Sequence, residues 1–165
     1  MIAIELITPA NVTIFKDVRL AALQDTPTAF AATYAKETLL SDAYCLSRAH
    51  KFSSETSVGY LAMDGRAGVG IARGTRDDLD PKIAWLESMW VAPSYRRRGV
   101  GQLLVSAILK WARSREFSTV KLMVTSTNDP ANRFYERVGF RPTGNAEPYP
   151  NDPALVECEM SHSLE

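Results

Sequence analysis

The apolar positions of this chain change period several times, and each change marks a new element. Residues 2–8, IAIELIT, alternate enough for a first strand. Pro9 and Asn11 then open a helix reaching to about Leu23, with Val12, Phe15, Val18, Arg19 and Leu23 near one face. The proline in DTPTAF, 25–30, ends it. A second helical stretch is expected over Thr33–His50, carrying Leu39, Leu40, Tyr44, Cys45 and Leu46. Residues 57–63, SVGYLAM, read as a strand, and Asp64-Gly65 is a hairpin signal. The returning strand, 66–74, has glycines at 68 and 70 that leave room for a close neighbour. After the polar turn RDDLDP, 76–81, strand 82–91 completes an antiparallel meander.

The second half reads differently. Val100, Leu103, Leu104, Ala107, Ile108 and Trp111 recur at helical spacing. STVKLMVTS, 118–126, is a β-branched strand. DPANRFYERVG, 129–139, is a short helix, with Asp129 as N-cap, Pro130 at the first position and Gly139 as the stop. Closing strands at 140–144 and 154–160 flank the loop NAEPYPNDP. This order predicts an α/β or α+β protein with a mixed sheet, because the strand-helix-strand unit from 82 to 126 needs a crossover. With 165 residues and no linker or repeat, one domain over 1–163 is expected. Leu164-Glu165 read as a cloning scar.

Composition narrows the function classes. The 19 basic residues balance 19 acidic ones, against a general nucleic-acid binder, although a local basic patch is compatible with this balance. Cys45 and Cys158 form no CxxC, and His50 and His162 stand alone, so neither a disulfide framework nor a metal site is expected. The start, MIAIELITPA, lacks the features of a signal peptide. No apolar run approaches the ~20 residues of a membrane helix. A cytoplasmic protein with no membrane partner is the expectation.

The candidate chemistry starts at VAPSYRRRGVGQLL, 91–104. A helix opening leaves backbone N–H groups without partners, and the helix dipole adds to their pull on anions. Gly99 and Gly101 let a phosphate approach the backbone. Arg96, Arg97 and Arg98 add charge and forked donors. Alone, three adjacent arginines read as solvated surface. The spacing Arg-x-x-Gly-x-Gly after a strand joins charge, glycines and a helix start, and it is neither a Walker A loop nor GxGxxG. A second group, NDPANRFYERVGF at 128–140, puts Asn128 at a strand-to-helix junction and Ala131 and Tyr135 on one helix face, with Asn132 beside them. On its own this group reads as a turn asparagine and half-buried packing.

Together the two motifs resemble the GCN5-related N-acetyltransferase (GNAT) superfamily. The residues are Met89-Trp90-Val91, Pro93, Tyr95, Arg96-x-x-Gly99-x-Gly101, then Asn128-x-x-Ala131-x-x-Phe134-Tyr135-x-x-x-Gly139-Phe140. The resemblance implies a mixed, mostly antiparallel six- to seven-stranded sheet with about four helices, splayed between strands 4 and 5. It implies acetyl-CoA as co-substrate, without metal, in a transferase acting on a primary amine of a small molecule by direct attack. The pantetheine arm would pair with the main chain of Met89, Trp90 and Val91. The diphosphate would rest on the amides of 97–102, which include Val100 and Gln102. Asn128 and Asn132 would contact the cofactor, and Tyr135 would lie near its sulfur. Arg97 departs from the family pattern, which more often has glycine there.

Tyr135 is then the candidate general acid for the leaving thiolate. Glu87 is the candidate base, on the expectation that it shares a strand face with Met89 and Val91. Glu87 reads equally as a residue that orients substrate or pairs with an arginine. The acceptor pocket is expected between 19–40 and 143–153, where Arg19, Phe30, Tyr34, Glu37, Glu147, Tyr149 and Asp152 lie. Phe30, Tyr34, Glu87 and Tyr149 are the candidate substrate contacts. Three other readings stay open: a non-catalytic CoA sensor, a protein N-terminal acetyltransferase, and a phosphate-reading nucleic-acid domain. A homodimer through strand 154–160 is a further expectation by analogy.

Overall fold

In the computed structural model, which describes residues 1–27 and 33–165, the chain runs β1 (Ile2–Leu6), α1 (Val12–Asp25), α2 (Tyr34–Glu37), α3 (Asp42–Lys51), β2 (Ser57–Asp64), β3 (Ala67–Arg76), β4 (Ile83–Val91), α4 (Val100–Ser114), β5 (Thr119–Thr125), α5 (Asp129–Arg137), β6 (Arg141–Tyr149) and β7 (Asp152–Ser163). Short 3-10 turns at Pro9–Asn11 and Pro93–Tyr95 lead into α1 and towards α4. The strands form one sheet in the order β1-β2-β3-β4-β5-β7-β6. Every pairing is antiparallel except β4 with β5.

Helices cover the two faces unequally. Val100, Leu104, Val105, Ile108, Trp111 and Ala112 of α4 bury against Val58, Ala62, Ala72, Ala84 and Leu86, and Tyr135 and Phe140 join the same core. Phe15, Val18, Ala22 and Leu23 of α1 pack with Ala49, Phe52, Leu61, Ile71 and Trp90 on the other face. Burying each large aliphatic side chain stabilises the fold by about 1.5–3 kcal/mol. Glycines on β3 let both helices sit close. An added Cβ on Gly68 would lie 2.4 Å from Val18, and one on Gly70 would lie 3.1 Å from Leu104.

Three expectations change. The single helix over 33–50 is two helices, because the Ser41 hydroxyl accepts from the Tyr44 N–H and caps a fresh start. Leu39, expected inside that helix, lies in the turn after α2 and is 85% exposed. The loop at 145–153 is instead the end of a long β6–β7 hairpin that turns at 150–151. Pro148 is compatible with β6 because β6 is the sheet edge, where a missing N–H costs no ladder bond, and the register shifts beside it. The same topology corrects the route expected for a dimer. Strand 154–160 is not a free edge, since β7 lies between β5 and β6. Leu164 packs against the core and its N–H donates to the Ser118 carbonyl at 2.9 Å.

Candidate active site

β4 and β5 pair over only three positions, Ile83 with Thr119, Ala84 with Val120 and Trp85 with Lys121. Beyond these the strands part, leaving facing main-chain edges at 86–91 and 122–125. A cleft lined by Leu86, Glu87, Ser88, Met89, Met123, Val124, Thr125, Asn128, Ala131 and Tyr135 occupies the gap. The cause of the parting lies in β4. The ladder with β3 slips between Ile71 and Arg73, so Ser88 and Met89 stand opposite Ala72 alone, and Ser88 takes φ +56°. This is a β-bulge. It reverses the side-chain alternation of the strand's last three residues.

The reversal corrects the placement of Glu87. Leu86 and Met89 both join the α4-side core, whereas Trp90 joins the α1-side core. Glu87 pairs across the ladder with Arg73 and its carboxylate meets Arg73 Nη2 at 2.6 Å. Glu87 therefore faces away from Met89 and Val91, although it still lines the cleft. Ala92 N–H donates to the Val69 carbonyl. Successive peptide groups alternate in direction, so the Val91 amide points away from β3 and into the opening. Trp90 brings only backbone to this edge, because its indole is buried and donates to Asp25 Oδ2 at 2.9 Å.

At the mouth of the cleft stands the start of α4. Gly99 is its N-cap, with φ +82° and ψ 0°, and no side chain caps the helix. Leu103 N–H makes the first intrahelical bond, to the Gly99 carbonyl at 3.1 Å. The N–H groups of Arg97, Arg98, Gly99, Val100, Gly101 and Gln102 make no hydrogen bond to a described residue. Arg97 has φ +61°, so left-handed residues recur at 97 and 99 and curl these amides into a concave nest. The left-handed state is expected to cost a non-glycine residue about 1 kcal/mol. Gly101 has a packing reason as well, since its Cβ would lie 3.1 Å from Phe134 and 3.3 Å from Met89. The Val100 side chain is buried in the core, which leaves only its amide for a ligand.

The three arginines differ. Arg96 Nε donates to the Val91 carbonyl at 2.8 Å and its Nη2 binds Asp25, so this guanidinium is turned inward. The Trp90 and Arg96 donors hold the Asp25 carboxyl below its ordinary value, against the opposing effect of burial. Arg98 lies over the Tyr95 ring at 5.1 Å, and the Tyr95 hydroxyl donates to Asp64 at 2.7 Å. All three arginines are exposed, but only Arg97 and Arg98 are not held by an acidic side chain among the described residues.

The opposite wall comes from α5. Asn128 Oδ1 accepts from the Ala131 N–H at 3.3 Å and caps the helix; the Asn128 N–H itself donates to the Thr125 carbonyl. Asn132 Nδ2 donates to the Thr125 and Asn128 carbonyls at 3.2 and 2.9 Å. Both asparagines thus brace the β5–α5 junction. Tyr135 is 8% exposed and stacks edge-on with Phe134 and Phe140. Burial pushes its phenol far above the ordinary value, so it stays protonated, and its hydroxyl has no partner among the described residues.

Of the substrate candidates, Phe30 lies outside the described residues. Tyr34 opens α2 and is 40% exposed. Tyr149 is buried, and its hydroxyl donates to the Pro27 carbonyl at 3.0 Å, which ties the β6–β7 hairpin to the end of α1. Glu37 is half-buried and pairs with Arg19 at 3.6 Å and Arg48 at 3.0 Å. Glu147 is exposed on β6, directly opposite Glu157. His50 is exposed, and His162 packs edge-on against Phe140. Sequence reasoning missed Ser88, Asp25 and Arg73. The Ser88 bulge has no composition signal. Asp25 acts through partners far along the chain, and Arg73 acts across the ladder on Glu87.

An open strand pair beside a bare helix N-terminus makes a cleft whose mouth attracts anions, and a family model matches the chain that forms it. The chain belongs to the acetyltransferase (GNAT) family, whose model matches residues 20–140. It is similar to N-acetylaspartate synthetase of Xenopus tropicalis, at 29% identity over 97 residues, covering 59% of this chain and 32% of that protein. The chain thus spans about a third of the length of that curated relative. Its fold matches a GNAT-family acetyltransferase of Streptococcus pneumoniae with a TM-score of 0.80 at 20% identity, over the full length of both chains. It also matches a Salmonella typhimurium protein solved with acetyl-CoA as its cofactor, with a TM-score of 0.80 at 16% identity, covering 100% of this chain and 95% of that one. Among the described residues, no group of His, Cys, Asp and Glu is arranged to hold a metal, and no helix is long and apolar enough to cross a membrane.

Proposed function

We propose that this chain is an acetyl-CoA-dependent N-acetyltransferase that acts on a primary amine of a small molecule by direct attack in a ternary complex. One observation carries the reading: the six amides at 97–102, without a partner among the described residues, stand at the mouth of a cleft walled by strand edges that do not pair with each other. Those amides, with Arg97 and Arg98, fit a diphosphate. The edge at 89–91 fits an amide-bearing arm that adds as a partial strand. When bound, acetyl-CoA supplies an acetyl thioester activated for attack by an amine.

The residues then divide the work. The Val91 amide is placed to donate to the acetyl oxygen as negative charge builds there. Tyr135, kept protonated by burial, donates its proton to the sulfur as the carbon–sulfur bond breaks and the carbon–nitrogen bond forms. Glu87 lines the same cleft from the β4 side. Its part is to receive the acceptor's ammonium group and pass a proton to water. The ion pair with Arg73 fixes its direction for either task. Asn128 and Asn132 act by holding the β5–α5 junction at the cofactor's sulfur end. Tyr34 and the β6–β7 hairpin border the acceptor side.

The test is an acetylation screen over small amines, amino acids, aminoglycosides and peptide N-termini, followed by release of free thiol from acetyl-CoA. Thiol release above the hydrolysis rate with a small amine supports the reading. Acetyl-CoA binding without turnover on any member would favour a sensor, and turnover confined to peptides would favour an N-terminal acetyltransferase.

A further inference from the structure

We propose that Arg19 is a positioning residue for acetyl transfer: from α1 it holds Ser88 in the bulge that turns the Met89–Val91 edge into the cleft. This rests on the acetyl-CoA reading above.

Arg19 lies on the buried face of α1, where its neighbours Phe15, Val18, Ala22 and Leu23 are apolar and it is only 7% exposed. Packing alone would be served by an aliphatic residue. A buried guanidinium is costly unless well bonded. Desolvation pulls its pKa down to about 10, which still leaves it a cation at neutral pH. Its Nη1 donates to Ser88 Oγ at 2.7 Å, and Nη2 faces Glu37 at 3.6 Å. Glu37 is held in turn by Arg48 at 3.0 Å. Because the guanidinium is planar and rigid, fixing one nitrogen on Glu37 fixes the direction of the bond to Ser88.

Ser88 needs such an anchor. It has φ +56°, a conformation that serine adopts at a cost. Without the bulge, the alternation of β4 would run on unreversed and Met89 and Val91 would exchange faces with Trp90. The residue linking α1 to the bulge therefore sets which peptide groups meet the thioester. Through Glu37 the same link reaches α2, on the acceptor side, so the two substrate walls share one brace.

The experiment titrates acetyl-CoA calorimetrically into the wild type, Ser88→Ala, Arg19→Met, Ser88→Gly and the double variant Ser88→Gly with Arg19→Met. Amide hydrogen exchange at 88–91 is measured in the cofactor-free proteins. Ser88→Ala and Arg19→Met are each expected to weaken acetyl-CoA binding about tenfold, the loss expected for one charge-assisted hydrogen bond. Exchange at 88–91 should quicken in both. In the Ser88→Gly background, Arg19→Met should lose most of its effect, because glycine holds a left-handed φ unaided. A residue of purely structural importance would lower the melting temperature and leave both affinity and local exchange unchanged. Affinity and exchange both like wild type in Ser88→Ala and Arg19→Met overturn the proposal. If Arg19→Met does not fold, Ser88→Ala decides, being a half-buried change on a strand. Failure of the wild type to bind acetyl-CoA would remove the acetyltransferase reading, whereas unchanged exchange at 88–91 would remove the Arg19 proposal alone.

Discussion

Replacing Gly99 with aspartate separates charge from shape at the proposed diphosphate seat. A Cβ at Gly99 meets nothing within 4 Å, so steric crowding inside the protein is not at issue. The φ of +82° is tolerated better by Asp and Asn than by other side chains. A carboxylate near the start of α4 also interacts favourably with the helix dipole, by about 0.3–1 kcal/mol. These effects oppose each other, so the thermal midpoint of Gly99→Asp should stay within about 4 °C of wild type, the shift expected for roughly 1 kcal/mol at this size. Binding should change far more. Two like charges on the order of 5 Å apart, at an effective dielectric near 20, repel by about 3 kcal/mol. That corresponds to roughly 200-fold weaker acetyl-CoA binding. Gly99→Asn keeps the shape without the charge and should lose only several-fold. Calorimetry on the three proteins, with melting curves as control, reads both quantities. Gly99→Asp binding within about threefold of Gly99→Asn would refute the anion seat, because repulsion of this size cannot vanish if phosphate lies there.

Other expectations follow from the same geometry. Tyr135→Phe should lower kcat by about 10²–10⁴-fold with little change in KM for acetyl-CoA, since only the proton is lost; steady-state kinetics on any accepted amine decides this. The raised phenol of Tyr135 also has a stability consequence. Its contribution is fully present below the ordinary value of 10.0 and is lost as pH rises toward the higher folded value. Melting curves should therefore show the wild type losing ground to Tyr135→Phe only at strongly alkaline pH. Gly139→Ala should destabilise by more than about 2 kcal/mol, because φ is +106° and the new Cβ would lie 2.7 Å from His162 Nε2. His162→Ala should recover the steric part and leave the backbone part, measured by denaturant unfolding.

What the sequence made legible was local chemistry with a mechanism. The helix start at Gly99, the Pro130 helix and the Gly139 stop follow from φ freedom, a missing N–H and orphan donors, and they lie within a residue or two of where they were expected. The two-motif spacing carried the family. What stayed hidden was set by distant partners. Nothing in SMWV, 88–91, announces a left-handed serine, because the anchor is Arg19, sixty-nine residues away. The face of Glu87 differs from simple strand alternation for that reason. The proline-rich run 145–153 reads as a loop, yet Pro148 falls on the edge strand β6, which tolerates it, and Pro153 falls at the second residue of β7, beside the turn. The break before α3 has a local signal in Ser41, a residue type that caps helices.

Backbone amide shifts on addition of acetyl-CoA test the central claim most directly. The largest changes should fall on the N–H groups of 97–102 and on the Met89–Val91 edge, with protection from exchange at both. Binding that leaves 97–102 unmoved, or no response to acetyl-CoA at all, would contradict the account.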